Sequence, residues 1–175
     1  LDGKGDLVFD WVNTDDVVAI AHDIPVPGYR TDCVNTLRLW AAKATREFDI
    51  GGFNRGDYVE AVRQKNATED ISRVLYPNDQ VMQGKELRLR QEYFFVSATL
   101  QDAIRRHLKA HPSFANLPAK AVFQLNDTHP AIAVPELMRV LVDDKGMAWA
   151  DAWPITQQCF AYTCHTLLPE ALEVW

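Results

Sequence analysis

Three cysteines, Cys33, Cys159 and Cys164, are all that the 175 residues contain, and no two are spaced Cys-x-x-Cys. An odd count without that spacing argues against a disulfide framework or a zinc site. It points instead to reduced thiols in a cytoplasmic protein. Also missing is any apolar run near the ~20 residues needed to span a bilayer, and no secretory leader is visible. Positive charge is not in excess. The formal net charge is −6, so nothing electrostatic favours a nucleic acid or an anionic membrane as partner. There is no internal repeat, low-complexity tract or linker, and the length suits a single domain with a core of normal size. With 47% hydrophobic and 24% charged residues, the composition is that of a soluble globular protein.

The most organised stretch is Ala121 to Leu141, AVFQLNDTHPAIAVPELMRVL. Val122, Phe123 and Leu125 make a short apolar run of strand length. Asn126, Asp127, Thr128 and His129 then place four hydrogen-bonding side chains in succession. Pro135 opens a helix, where its missing N–H costs nothing. Cys159 to Trp175 repeats the pattern, with an apolar strand, a turn carrying His165 and a helix opened by Pro169. If the two strands are parallel, Asp127, His129 and His165 emerge at one sheet edge, and ligands of α/β proteins sit past the carboxyl ends of strands.

Elsewhere, Leu7–Phe9 and Val17–Ala21 read as short strands, and Pro25, Pro27 and Gly28 turn an extended chain. Cys33–Ala42 alternates as a strand covered on at least one side. Thr45–Gly56 reads as a loop, Asp57–Asn66 as a helix and Ser72–Tyr76 as a strand. Gly84–Lys109 is the longest helical signal, with Tyr93, Val96, Leu100, Ile104 and Leu108 on one stripe. Met147–Gln158 reads as a helix that Pro154 should kink or shorten. Strands and helices alternate in the second half, which predicts an α/β fold with a mainly parallel sheet and an antiparallel extension from the early strands. The chain starts at Leu1 and stops within two turns of the last expected helix. Ala171, Leu172 and Trp175 share a face there with nothing downstream to complete it, so a piece of a longer protein is expected.

Several groups could carry chemistry, and each has a plainer reading. Asp127, His129 and His165 could ligate a metal, exchange protons or hold sugar hydroxyls, or merely cap turns. Asn78 and Asp79, after Tyr76-Pro77, suit a mobile flap or an ordinary turn. Arg105 and Arg106, with Arg38, could fork around a phosphate or be a solvated helix end. The tryptophans could stack on sugar rings or pack in a core.

PVPGYR, VNTLRLWAAKA, ISRVLYPND, GKELRLRQEYFF, DAIRR, QLNDTHPAIAVPELMRVLVD and HTLLPEALE occur in this order, and together they resemble the α-glucan (glycogen, starch or maltodextrin) phosphorylases from about Val17 to Trp175. The resemblance implies part of the N-terminal, Rossmann-like domain of a two-domain glycosyltransferase of the GT-B type. Such an enzyme transfers terminal α-1,4-linked glucose to inorganic phosphate, with retention, and depends on pyridoxal 5′-phosphate. The lysine that holds the cofactor belongs to the family's C-terminal domain, so the resemblance implies that this piece alone is inactive. It further implies His165 beside the glucosyl unit, Asn78 and Asp79 in the loop that gates the cleft, and Arg88, Asp127 and His129 in the pocket lining. Arg38, Arg105 and Arg106 resemble the arginines that hold the phosphate of an AMP-type effector at a homodimer interface. Gln80 and Cys164 stand where asparagines are expected, Gln80 at a sugar contact, and Pro154 is not expected in its helix. A non-catalytic sugar- or anion-binding module with the same half-fold is the alternative, and a metal hydrolase a third reading.

Overall fold

The computed structural model describes residues 9–47 and 49–168. Leu7 and Val8 of the first expected strand, and the Pro169 helix with Ala171, Leu172 and Trp175, lie outside those residues. The chain falls into two compact units, residues 14–94 and residues 1–13 with 95–175.

In the 14–94 unit, β1 (Val17–Pro27) and β2 (Val34–Ala44) form an antiparallel hairpin, with Val17 opposite Ala44 and Pro27 opposite Val34. Both strands run longer than the apolar letters predict. Pro25 and Pro27 fall at its outer end, and Gly28 N–H closes the turn on Cys33 O at 2.9 Å. Period-two alternation places Arg38, Trp40 and Ala42 on the better-covered face. The opposite face leaves Val18, Ile20, Ile24, Leu37 and Leu39 exposed. Ala42 N–H donates to Ser72 Oγ (2.8 Å).

The expected loop at 45–56 contains a short helix, α1 (Ile50–Asn54). Asp49 caps it, its carboxylate accepting from Gly51 N–H at 2.9 Å and Gly52 N–H at 3.0 Å. A strong N-cap here outweighs two adjacent glycines. Then comes α2 (Tyr58–Asp70). The Ser72–Tyr76 segment, expected as a strand, forms turns and pairs with none of the strands among the described residues. Its backbone is claimed by side chains instead, since Gln91 Nε2 donates to Val74 O (2.6 Å). Tyr76 takes a left-handed φ of 55°. With no neighbouring strand, the β-propensity of Val74, Leu75 and Tyr76 has nothing to act on.

α3 (Met82–Ala110) supplies residues to both units. Val96, Leu100 and Ile104 are buried as the periodicity predicts. Polar residues are buried along it as well, with Arg88, Gln91, Ser97 and His107 each less than 9% exposed.

In the other unit a 3-10 turn (Phe114–Ala119) precedes β3 (Phe123–Asn126), and α4 (Ala133–Arg139) widens into a π-turn over Val140–Asp144. α5 (Trp149–Cys159) leads directly into β4 (Phe160–Thr163). β3 and β4 pair in parallel, Phe123 opposite Phe160 and Asn126 opposite Thr163. The fold is thus mixed α/β, as expected. Among the described residues, however, parallel pairing is confined to these two short strands, and the longer ladder is the antiparallel hairpin. Leu100, Leu117, Leu137, Leu141, Ala152 and Cys159 form the centre of the core.

α5 runs through Pro154 rather than stopping there. Pro154 and Ala150, whose carbonyl loses its helical donor, are both exposed, so water can serve that carbonyl. The buried face, Ala152, Thr156 and Cys159, is one helical turn apart at each step and untouched by the proline.

Candidate functional site

β3 ends at Asn126, and the next residue, Asp127, adopts a left-handed φ of 56°, a region that aspartate tolerates better than most side chains. Its N–H donates to Thr163 O at 2.8 Å, extending the parallel ladder by one rung. Its side chain is thereby directed back at β4, where Oδ1 accepts the His165 backbone N–H at 2.7 Å. The His165 ring meets Asn126 Oδ1 through Nε2 at 3.1 Å. Gln124 Nε2 donates across the pair to Thr163 Oγ1 at 2.8 Å. The two strand ends are therefore laced by side chains as well as backbone.

Asp127 and His165 thus share one sheet edge, as the two strand–turn–helix units predict. His129 lies two residues beyond Asp127, half-buried, in the turn entering α4. Beside them, partial desolvation, then Cys164 and Asp127, push the Tyr162 phenol above its ordinary value, so it remains a neutral hydroxyl. Cys159, at the other end of β4, is fully buried, and burial raises its thiol to about 11. It is a packing residue, not a nucleophile. Among the described residues no group of three His, Cys, Asp or Glu is arranged to hold a metal ion.

Gln124 was not singled out by sequence reasoning, and Asn126 was named only among the four hydrogen-bonding side chains after the strand, with no role of its own. The available signal was the alternation Phe123, Gln124, Leu125, Asn126, which sends the two amides away from the buried Leu125.

In the 14–94 unit, Asn78 Oδ1 accepts from Gln80 N–H (2.9 Å), an Asx-type turn. Asp79 Oδ2 accepts from Arg88 Nη1 at 2.5 Å. Arg88 is 7% exposed and its guanidinium lies 5.4 Å from the Tyr76 ring centroid. Burial pushes the Glu92 carboxyl upward, with Arg88 opposing. A Cβ built on Gly84 would lie 1.7 Å from Asn78 O. Only glycine lets the first turn of α3 approach the Asn78–Gln80 loop so closely.

The arginines singled out as anion ligands have carboxylate partners. Arg38 forms a bidentate pair with Asp23, both contacts 2.6 Å, across the hairpin. Arg105 (2.5 Å) and Arg106 (2.9 Å) share Asp102, yet their own side chains are about 60% exposed (59% and 63%). The shared Asp102 carboxylate is only 10% exposed, so it is the guanidinia, not their partner, that face solvent and could meet a phosphate.

The chain belongs to the carbohydrate phosphorylase family, whose sequence pattern matches residues 1–175. It is 53% identical over 165 residues to the glycogen phosphorylase of Haemophilus influenzae, 56% over 173 residues to the brain form of Ovis aries, and 54% over 173 residues to the human liver form. In each case 94% of this chain and 20% of the relative are covered. The chain therefore spans about a fifth of the length of the curated relatives it matches.

Proposed function

We propose that these residues are part of an α-1,4-glucan phosphorylase and form its sugar-side wall. The complete enzyme is a retaining glycosyltransferase of the two-domain GT-B type, to whose N-terminal domain this chain contributes. It moves terminal glucose from glycogen, starch or maltodextrin onto inorganic phosphate. The observation that carries this reading is the laced edge of β3 and β4 in a chain of this family. Asp127 and His165 there present carboxylate and imidazole groups suited to sugar hydroxyls. His165 lies beside the reacting glucosyl unit, with Asp127 and His129 lining its pocket. Asn78, Asp79 and Gln80 form the loop that admits the glucan, and Arg88 holds that loop through Asp79. Gln80 keeps an amide where an asparagine is expected, one methylene longer.

Pyridoxal 5′-phosphate, which the resemblance implies, finds no holder among the described residues. Lys43 and Lys65 are ion-paired with Glu69 and Glu47, and the other described lysines are exposed. The cofactor belongs to other residues of the complete enzyme, and no step performed here passes through it. The test is phosphate-dependent release of glucose 1-phosphate from an α-1,4-glucan by the complete enzyme. Release of free glucose irrespective of phosphate would contradict the proposal, and sugar binding without turnover would favour the non-catalytic module.

Arg38, Arg105 and Arg106 are proposed to hold the phosphate of an AMP-type effector at a homodimer interface. Arg105→Ala in the complete enzyme should weaken nucleotide binding by about tenfold, the loss of one charge-assisted contact, and leave sugar affinity unchanged. Equal nucleotide affinity in a binding titration of the variant would return these arginines to a solvated helix end.

A further inference from the structure

We infer that Asn126 is a positioning residue that fixes the tautomer and heading of the His165 ring. Three contacts determine where His165 lies. Asp127 N–H reaches Thr163 O at 2.8 Å, so the ends of β3 and β4 cannot slide. Asp127 Oδ1 receives the His165 backbone N–H at 2.7 Å, which fixes the residue's main chain. Among the described residues the ring is then held by one side-chain hydrogen bond, Nε2 to Asn126 Oδ1 at 3.1 Å. An amide oxygen only accepts, so the proton is on Nε2. In the neutral ring Nδ1 then carries the lone pair and can only accept.

This has a chemical consequence. His165 is exposed, and a ring held this way offers an acceptor nitrogen, suited to a hydroxyl proton. With the opposite tautomer the same nitrogen would donate. Asp127, committed through Oδ1 to the His165 backbone, is a second acceptor beside it. A sugar hydroxyl donating to His165 Nδ1 therefore meets a site whose polarity Asn126 has set in advance. The geometric part stands on the strand pairing and the Asn126–His165 contact; the consequence for sugar rests on the phosphorylase reading.

The experiment uses the complete protein with 15N-labelled histidine. The His165 signals among the five histidines are identified by comparison with His165→Gln. The expected result is an Nε2–H tautomer in the wild type, a tautomer mixture in Asn126→Ala, and its restoration in Asn126→Asp, which keeps an oxygen acceptor. In phosphorolysis, Asn126→Ala should lower kcat/KM about tenfold, with recovery in Asn126→Asp. The double variant Asn126→Ala/His165→Ala should be no worse than His165→Ala, because Asn126 acts through the ring. An Nδ1–H tautomer in the wild type, or an unchanged tautomer in Asn126→Ala, overturns the inference. Additive losses in the double variant overturn the claim that Asn126 acts through His165. An Nε2–H tautomer that responds to Asn126 in a protein without phosphorolysis would sustain the positioning role and refute the phosphorylase reading instead.

Discussion

The 175 residues on their own are expected to release no glucose 1-phosphate from glucan and phosphate. Phosphorolysis requires donor sugar, inorganic phosphate and an acid–base group held together, and positioning of that kind is worth several orders of magnitude in rate. The described residues offer hydroxyl partners at Asp127 and His165, while Arg88 is bonded to Asp79 and Arg139 to Glu136. The resemblance places the cofactor lysine and the groups that hold the substrate phosphate outside this chain. The same chain should also associate as its concentration rises. One face of the β1–β2 hairpin exposes Val18, Ile20, Leu37 and Leu39 at 40–53% each, a largely apolar surface, interrupted by His22 and Lys43, of the sort that drives association. Turnover by this chain as a stable monomer, measured by glucose 1-phosphate release alongside sedimentation, would refute both statements.

The second large effect lies at Glu136. Its side chain is 2% exposed and accepts from Ser97 Oγ (2.6 Å) and from Arg139 Nε (2.7 Å) and Nη2 (3.1 Å). Gln101 Nε2 donates to Ser97 Oγ (2.8 Å), and Arg139 continues to Asp144 at 2.9 Å and lies 5.1 Å from the Trp11 ring. Glu136→Ala removes the carboxylate and leaves a largely buried guanidinium without its principal partner, a change that costs about 3–5 kcal/mol. Amide hydrogen exchange along α4 should then accelerate by about 10²–10⁴-fold. Glu136→Gln, which keeps an acceptor for Ser97, should lose less. Exchange in Glu136→Ala within a few-fold of the wild type would show that the network contributes little.

The strand–turn–helix pattern around Asp127 was legible because three local signals agree there: an apolar run, a polar turn and a proline at a helix start. The parallel pairing itself was an inference from two similar units, and it holds through Asn126 and Thr163. Ser72–Tyr76 was misread because strand propensity is only realised beside another strand, and Gln91, seventeen residues from Val74, holds its carbonyl instead. The polar burial along α3 was missed for a related reason. Arg88, Gln91, Ser97 and, through Nε2, His107 are buried beside specific partners, Asp79, Val74, Glu136 and Ser113, and a count of apolar letters cannot register that. Pro154 was expected to kink or shorten α5, but its effect depends on whether Ala150 faces water, which the sequence does not state. Asn126 escaped notice as a site residue because its role depends on His165, thirty-nine positions away.

The central claim is that the carboxyl edge of β3 and β4 is the sugar wall of a phosphorylase. The most direct measurement is kcat/KM for phosphorolysis of an α-1,4-glucan by the complete enzyme, wild type beside His165→Ala. A site built around sugar hydroxyls loses at least about tenfold when one such partner is removed. The account predicts a loss of that size or greater in His165→Ala; equal kcat/KM in the two proteins would contradict it.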